Sequence, residues 1–402
     1  MISKPTHVKA QELIESIHRS HLKAPQTILF GRGRLNELGK LVMPPAWGQK
    51  AIVVTGRQSA TTSGAAGKVQ VMLNRYGVEV IPFANVSSEP TVDMVNRGAQ
   101  LARDEKPKLV VSLGGGSAID CGKAIAALAV NDGPVEDYLE GVGKGLQVAN
   151  PPVPHIAIPT IAGTGAEMTK NAVIVSHEHG YKKSMRADSM VPTIALIDPL
   201  LSATVPAAAT AAGGMDAITQ LLEPCITLKR RPETSMLALE GLRLARAALV
   251  QCHEEPGNVL AREQMSLVSM LGGVCLANSG LGMAHGIAAG LGALFDIAHG
   301  LACGILLPHT LRHNRTACET ELTNALTAFL NQPRASADAI DEGIAVIHEL
   351  NSRLGIPRDL KHLQLKDEDL KKLAAASMGS SMSGNPVTMT EESVLEFLKT
   401  IA

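Results

Sequence analysis

Two histidines in the second half of the chain lie in a segment of small and apolar residues. His285 and His299 are fourteen residues apart, between Gly280 and Gly300. Burying an imidazole in such surroundings costs free energy unless it is paired, and a divalent metal ion is a common partner. With Asp216, the two imidazoles make three ligands and leave room for substrate or water, as catalytic metal sites do. The pattern predicts a metal between helices that polarises an alcohol or carbonyl oxygen for hydride transfer. Hydrogen-bonded core histidines are the alternative.

Asp216 and Gln220 are four residues apart and share one face of a predicted helix. A carboxylate flanked by apolar residues needs a counter-charge or several hydrogen bonds. If Asp216 begins that helix, the helix dipole alone could stabilise it, and this alternative stays open. His309 and His313 follow Pro308 and are expected to be structural. No serine or cysteine lies in a context typical of an activated nucleophile.

A run of glycines could hold a phosphate. Gly114 to Ser117 follows an apolar strand and opens a helix, so backbone N–H groups and the helix dipole would face an anion. The spacing is not the GxGxxG fingerprint, and a purely structural turn is the alternative. A second loop, at 159–167, also follows a strand and carries Thr160 and Thr164. Their hydroxyls could line a nucleotide cleft or be satisfied within a strand-ending loop.

The first half of the chain alternates short apolar runs with amphipathic segments. Strands are predicted at 51–55, 78–83, 109–113, 155–159 and 194–198, with helices around 64–76 and 91–105 between the first three. This repetition is typical of a parallel sheet covered by helices on both faces. From Pro206 onward the periodicity is helical, with few β-branched clusters. We expect an α/β nucleotide-binding domain at 1–200 and an all-α domain at 201–402.

Composition excludes several classes of function. A chain of 402 residues is too long for one ordinary core, which supports two domains. Lys plus Arg number 37 against 38 for Asp plus Glu, so we expect no nucleic acid and no membrane partner. The six cysteines contain no CxxC pair and are expected to be reduced, mostly buried thiols. We find no secretion signal and no run of about 18 apolar residues, which predicts a cytoplasmic protein.

These motifs, taken in order, resemble the iron-containing, or group III, alcohol dehydrogenase family over nearly the whole chain. The motifs that carry the resemblance are LFGRG at 29–33, GGGSAID at 114–120, PTIAGTGAE at 159–167, GMDAITQLLE at 214–223, the block containing His285 and His299, LLPH at 306–309 and SGNP at 383–386. The resemblance implies a dehydroquinate synthase-like fold, an α/β nucleotide-binding domain followed by a helical metal-binding domain. The cleft between them would hold cofactor and substrate.

The resemblance also implies roles for single residues. Gly115, Gly116 and Ser117 match the turn around the pyrophosphate. Thr160, Thr164 and Lys183 match residues around the nicotinamide nucleotide. Asp216, His285 and His299 match three of the four metal ligands.

Two residues depart from the family pattern. Gln220 stands where the family has a histidine ligand, and Ala289 stands where it has a further cleft histidine. A glutamine can ligate only through a neutral carbonyl oxygen, a weaker donor than imidazole for late first-row metals, so the divalent ion is expected to be iron or zinc. Without a histidine at 289, proton exchange is expected to pass through water or the nucleotide ribose.

The residues after the second predicted strand bear on the nucleotide. Family members that prefer NAD resemble one another in having an aspartate there, which would bond the ribose hydroxyls and repel a 2′-phosphate. This chain has Gly56, followed by Arg57 and Ser59. A missing carboxylate and a nearby guanidinium favour NADP, with NAD as the alternative.

The expected function is that of a metal-dependent NAD(P) alcohol dehydrogenase or aldehyde reductase acting on a small primary or secondary alcohol and its carbonyl. Asp216, His285 and His299 would hold the ion, Gln220 would be a weak fourth ligand or a supporting donor, and no catalytic residue is expected beyond this site. One alternative is a metal-free NAD(P)H reductase of the maleylacetate reductase type. Another is a nucleotide-binding relative whose catalysis is weakened by Gln220 and Ala289. Relatives imply a homo-oligomer, a dimer or larger.

Overall fold

The structure, a computed structural model, describes residues 6–43, 47–56, 64–86, 89–336 and 338–402. The chain divides into two compact units. The first contains the described residues up to Ile161 together with Gly165–Val205. The second contains Ala162–Thr164 together with Pro206–Ala402.

The first unit is built on a parallel sheet. Its strands are β1 (Thr27–Phe30), β2 (Lys50–Gly56), β3 (Glu79–Val86), β4 (Leu109–Gly114), β5 (His155–Pro159) and β8 (Ile194–Ile197), in the order β1-β8-β5-β4-β2-β3. Strands β6 (Asn171–Ser176) and β7 (Tyr181–Arg186) form a separate antiparallel hairpin. The five predicted strands correspond to β2, β3, β4, β5 and β8, whereas β1 and the hairpin were not predicted.

Helices cover both faces of this sheet. They are α1 (Thr6–Arg19), α2 (Leu38–Leu41), α3 (Ala65–Arg75), α4 (Val92–Glu105) and α5 (Gly116–Leu128). Because successive side chains of a strand point to opposite faces, β2 divides its residues between two apolar clusters. Ile52 and Val54 pack with α4 and α5, while Ala51 and Val53 pack with α2 and α3. The predicted fold class, an α/β domain with a parallel sheet, is confirmed.

The second unit is helical, with no strand among its described residues. Its helices are α6 (Ala207–Ile226), α7 (Pro232–Glu254), α8 (Val259–Ser279), α9 (Met283–Phe295), α10 (His299–Asn314), α11 (Glu319–Phe329), α12 (Ala339–Arg353), α13 (Asp367–Ala376) and α14 (Glu391–Ile401). Helix α6 packs against α7, α8 and α10, and its residues 214–226 are buried without interruption. A helix that is buried all round forms the centre of a core. Any polar side chain in that stretch is therefore forced to find its partners inside the protein.

Helix α8 is long and apolar enough to cross a membrane when judged by length and composition alone. Inside the fold, 78% of its most apolar window is buried, and it packs against α6 and α7. Its burial and packing are those of a core helix of the second unit.

Candidate metal and nucleotide sites

Asp216 lies in the buried middle of α6, nine residues after the helix begins at Ala207. Helix-dipole stabilisation falls off within the first turn, so the dipole does not explain a carboxylate this deep in the helix. Asp216, Gln220 and Glu223 follow one another at i, i+4 and i+7 and share one face of α6. Each is only 2% exposed. Three polar side chains on one buried face require partners from neighbouring helices.

A glycine brings helix α10 against α6. A Cβ built on Gly300 would lie 2.2 Å from the backbone oxygen of Ala212 and 3.2 Å from Cβ of Asp216. The first distance is shorter than any real contact, so only glycine allows the two helices to approach this closely. This contact places His299, the first residue of α10, beside Asp216, with its Nε2 at 4.0 Å from Oδ1 of the carboxylate.

Glu223 fixes the position of His285, near the start of α9. Its Oε2 accepts a hydrogen bond of 2.6 Å from Nδ1 of His285, and its Oε1 accepts one of 2.7 Å from the backbone N–H of Ala284. The carboxylate thus caps the N-terminus of α9 and holds the imidazole at once. Because Nδ1 faces Glu223, Nε2 points to Asp216, whose Oδ1 lies 3.2 Å away.

The charges around His285 favour a cation. Burial opposes the charged imidazolium, but Cys303, Glu223 and Asp216 together raise the pKa of His285 well above its ordinary value. Burial likewise opposes the charged carboxylate of Asp216, yet the hydrogen bond from His285 and the charge of His299 lower its pKa. Buried carboxylates that hold a proton on an imidazole would equally stabilise a metal ion, which competes for the same nitrogen.

Cys303 is a further donor, which the sequence analysis missed. It follows His299 by one turn of α10, is fully buried, and places its Sγ 3.8 Å from Nε2 of His299. Burial raises the pKa of this thiol to about 11, so without a neighbouring cation it stays protonated. The signal available in the sequence was the i, i+4 spacing from His299, which puts both side chains on one face of a helix.

The donor atoms fit a metal ion. One ligand atom each from Asp216, His285, His299 and Cys303 lies within 4.8 Å of the other three. Nitrogen, oxygen and sulfur ligands of a tetrahedral ion bound at ordinary lengths lie about 3.5 Å apart. The separations in this cluster, 3.2 Å and 4.0 Å to Asp216 and 3.8 Å to Cys303, bracket that value. His299 has 29% of its side chain exposed, which leaves one side of the cluster accessible.

The predicted phosphate turn lies at the carboxyl edge of the sheet. Gly114 ends β4 with φ of +159°, where a Cβ would lie 2.7 Å from Cβ of Ala118. Gly115 is the N-cap of α5, Gly116 is its first residue, and Ser117 follows. The first turn of α5 contains no acidic side chain. The strand-then-helix arrangement required for a phosphate-binding turn is therefore present.

Neighbouring strands bring two further predicted residues to the same edge. The backbone N–H of Thr160, directly after β5, donates to the carbonyl of Gly114 at 2.9 Å. Gly56 ends β2, and its backbone nitrogen would lie 3.5 Å from a Cβ at Gly114. From β2 the chain continues to β3 on one side, while β4 leads to β5 on the other. The glycine turn thus lies at the point where strand order reverses, which is where open parallel sheets bind ligands.

Comparison with known proteins identifies the family of this chain. The family described as iron-containing alcohol dehydrogenase matches residues 25–199, and the C-terminal part of the Fe-containing alcohol dehydrogenase family matches residues 210–402. The chain belongs to the iron-containing alcohol dehydrogenase family.

Relatives of known name extend the match over both units. Alcohol dehydrogenase 4 of Saccharomyces cerevisiae is 34% identical over 93% of this chain and 96% of its own. The NAD-dependent methanol dehydrogenase of Bacillus methanolicus is 30% identical over 93% and 98%, and the NADPH-dependent butanol dehydrogenase of Clostridium saccharobutylicum is 28% identical over 94% and 96%. A crystal structure of 1,3-propanediol oxidoreductase superposes with a TM-score of 0.87 at 31% identity, covering 94% of this chain and 98% of its own. The predicted enzyme class, an NAD(P)-dependent alcohol dehydrogenase, is confirmed by these relatives.

Within this alcohol dehydrogenase, Gln220 has a partner other than the metal cluster. Its Nε2 donates to the carbonyl of Gly163 at 3.2 Å. Ser269 binds the same glycine twice, accepting from its N–H at 2.9 Å and donating to its carbonyl at 3.2 Å. Gln220 therefore helps to hold segment 162–164, which includes Thr164. Its role as a metal ligand stays a prediction.

The other residues singled out in the sequence lie outside the metal cluster and the glycine turn, or outside the described residues. Lys183 is in the middle of β7, opposite Ile174 of β6. Arg57 and Ser59 lie outside the described residues. Nε2 of His309 donates to the carbonyl oxygen of Arg358 at 2.8 Å, and the ring of His313 packs on Phe397. These contacts agree with the structural role expected for both histidines.

A buried ion pair in the first unit of the dehydrogenase also escaped the sequence analysis. Lys123 on α5 is 1% exposed and lies 2.9 Å from Oδ1 of Asp120. Its ammonium also donates to Oγ1 of Thr169 at 2.8 Å and to the carbonyl of Asn171 at 2.6 Å. Oδ2 of Asp120 accepts from the N–H of Val173 at 2.9 Å. This network ties α5 to hairpin strand β6 directly behind the glycine turn.

Proposed function

We propose that this chain interconverts a small primary or secondary alcohol and its carbonyl with NAD(P), using a divalent metal ion held by Asp216, His285 and His299. The observation that carries the proposal is the convergence of these three donors in the second unit at the spacing of metal ligands. The glycine turn of the first unit supplies the site for the nucleotide phosphates.

When bound, the ion would act as a Lewis acid that polarises the alcohol or carbonyl oxygen and stabilises the charge developing on it. The chain's residues prepare the site for this. Glu223 holds the ring of His285 with Nε2 toward Asp216 and compensates positive charge. The partial exposure of His299 leaves a side from which a small substrate can approach.

The proton released from the alcohol needs a route that does not use residue 289. Ala289 is half-buried on α9, one turn after His285, and has no titratable group. We propose that this proton passes through water or the ribose hydroxyls of the nucleotide.

The ion is iron or zinc in this proposal. The family name supports iron, whereas Gln220 in place of a histidine removes a nitrogen donor and weakens that preference.

The deciding experiment measures metal content and turnover together. In His285→Ala, we expect loss of bound metal and a fall in kcat/KM on the order of a thousandfold, since several kcal/mol of transition-state stabilisation is lost. His313→Ala, on α10 outside the cluster, is the matched control and should keep both. Full turnover of chelator-treated protein with no metal present would favour the metal-free reductase. Binding of NADPH and metal without turnover across an alcohol and aldehyde panel would favour the nucleotide-binding relative.

We further propose that NADP is preferred over NAD. The support is the absence of a carboxylate at Gly56, which lies at the strand edge beside the glycine turn, and the charge of Arg57 in the sequence. Gly56→Asp should lower the ratio of kcat/KM for NADPH to that for NADH by about tenfold or more, because a carboxylate repels the 2′-phosphate. Gly257→Asp adds the same charge in the second unit and should leave the ratio unchanged. An unchanged ratio in Gly56→Asp would contradict the preference.

A dimer or larger homo-oligomer and a cytoplasmic location stay predictions. Analytical ultracentrifugation of the metal-loaded protein tests the first, and localisation of a tagged chain tests the second.

A further inference from the structure

Cys303 differs from other buried cysteines of the chain in what its sulfur faces. The thiols of Cys225 and Cys318 each donate to the carbonyl of the preceding helical turn, at 3.3 Å to Leu221 and 3.2 Å to Asn314. These are contacts of inert core thiols. The sulfur of Cys303 instead lies 3.8 Å from Nε2 of His299 and within 4.8 Å of a carboxylate oxygen of Asp216.

The position of Cys303 is as constrained as that of the other donors. It lies one turn after His299 on α10, and Gly300 between them fixes that helix against α6. The side chain is fully buried, so the sulfur is directed into the cluster and away from solvent. Its Sγ is one of the four atoms that all lie within 4.8 Å of one another.

We propose that the thiolate of Cys303 is a ligand of the metal ion, so that the donor set is Asp216, His285, His299 and Cys303. This rests on the proposed metal-dependent function. On binding, the Sγ–H bond breaks, the proton passes to solvent and an Sγ–metal bond forms, with no change in oxidation state. The carboxylate of Asp216 and the thiolate then supply two negative charges directly at the ion, in addition to that of Glu223 behind His285.

A thiolate changes which ion the site selects. Sulfur is a soft ligand that favours zinc, whereas oxygen donors such as the carbonyl of Gln220 favour harder ions. The amide nitrogen of Gln220 is also engaged by Gly163. Cys303 therefore supplies the strong fourth donor that Gln220 does not, and the site selects Zn²⁺ over Fe²⁺. Four protein donors are compatible with catalysis, because zinc sites can expand from four to five ligands.

X-ray absorption of the zinc-loaded protein tests the ligand directly. We expect one sulfur scatterer at about 2.3 Å beside nitrogen and oxygen at about 2.0–2.1 Å. Cys303→Ser should lose the sulfur shell and lower zinc affinity by about tenfold or more, with a smaller change in Fe²⁺ affinity. Cys225→Ser, a buried helical thiol outside the cluster, is the matched control and should retain the sulfur shell.

The wild-type spectrum decides the question even if Cys303→Ser does not fold. A zinc shell of nitrogen and oxygen only would overturn the inference, as would a sulfur shell that persists in Cys303→Ser. If the enzyme turns over while the zinc shell contains only nitrogen and oxygen, Cys303 is not a ligand and the proposed function still holds. A sulfur shell without turnover of any alcohol or aldehyde overturns the function and supports the ligand.

Discussion

Both units bury charged side chains, but they neutralise them differently. In the first unit, Asp120 is paired with the ammonium of Lys123, and backbone groups together with the hydroxyl of Thr169 supply the remaining hydrogen bonds. In the second unit, the described ion pairs of Asp216 and Glu223 are with histidines only. The first cluster carries its own permanent cation. The second relies on protons or on an ion taken from outside.

This difference distinguishes a structural cluster from the proposed metal site. A buried carboxylate by itself does not tell a structural cluster from a metal site, because both clusters contain one. The distinguishing feature is whether the compensating charge belongs to the chain. Where it does, the network is complete at any metal concentration. Where it does not, the stability of the unit is linked to the concentration of a ligand.

The largest expected effect is on the stability of the protein when the ion pair of Lys123 and Asp120 is broken. Lys123→Met removes the ammonium and leaves Asp120 buried without its counter-charge, which should lower the free energy of unfolding by about 3–5 kcal/mol. Lys371→Met, at an exposed position on α13, is the control and should have little effect. Denaturant titrations with and without a chelator provide the measurement. A loss for Lys123→Met that depended on the chelator would break the distinction between the clusters.

An intermediate effect is expected at Glu223, the carboxylate that holds the proposed metal ligand His285. Glu223→Gln keeps an acceptor for His285 but removes its charge, so metal affinity should fall by about 10–100-fold. Competition with a chromophoric chelator measures this.

The control for that variant is Glu240→Gln on α7, whose partner Arg243 is exposed. Its metal affinity should equal that of the unsubstituted protein. Equal affinity in Glu223→Gln as well would show that Glu223 only caps α9.

A smaller effect near neutral pH is expected in the pH dependence of stability, where one buried histidine in each unit contributes with opposite sign. Burial, with a contribution from Lys123, lowers the pKa of His155 to about 3 from its ordinary 6.5. Its contribution to stability is therefore complete above pH 6.5 and is lost as the pH falls from 6.5 to 3, by about 1.4 kcal/mol per pH unit. His285 in metal-free protein has a raised pKa, so its contribution is present below pH 6.5 and is lost as the pH rises through the higher folded value.

The two slopes have opposite signs and can be separated by substitution. In metal-free protein, His155→Gln should remove the acid-induced loss, because the amide can still bond Ser112 but does not titrate. Unfolding free energies measured between pH 7 and 5 provide the test. The same pH slope in His155→Gln and the unsubstituted chain would mean that other groups dominate.

Much of the sheet could be predicted because its strands are continuous apolar runs. Every residue of β4 and β5 is buried, which is the condition under which parallel strands lose their polar alternation. Strand β6 contains such a run, Ala172 to Val175, and was nevertheless missed. The other two exceptions lack the signal. β1 is four residues long and only alternately buried, and β7 is largely half-exposed and rich in Lys and Arg. Such strands depend on their neighbours, which a local pattern does not contain.

The candidate site could be predicted where ionisable residues interrupt apolar segments of the sequence. Asp216, His285 and His299 stand out as ionisable residues in apolar segments. Glu223 and Cys303 stand out only relative to residues already chosen, at i+7 from Asp216 and i+4 from His299. The bond from Gln220 to Gly163 joins residues 57 positions apart, so no local pattern could reveal it.

Gly300 has no functional group, yet its substitution should impair metal binding as much as substitution of a proposed ligand. Any Cβ there would force α10 away from α6 by about 1 Å, because the nearest backbone oxygen would be only 2.2 Å away. Such a shift would exceed the tolerance of about 0.2 Å within which metal–ligand bonds are formed. The absence of a side chain at Gly300 therefore sets the distance between the helices that carry the proposed ligands. Loss of activity in Gly300→Ala would reflect that distance and not a chemical role of residue 300.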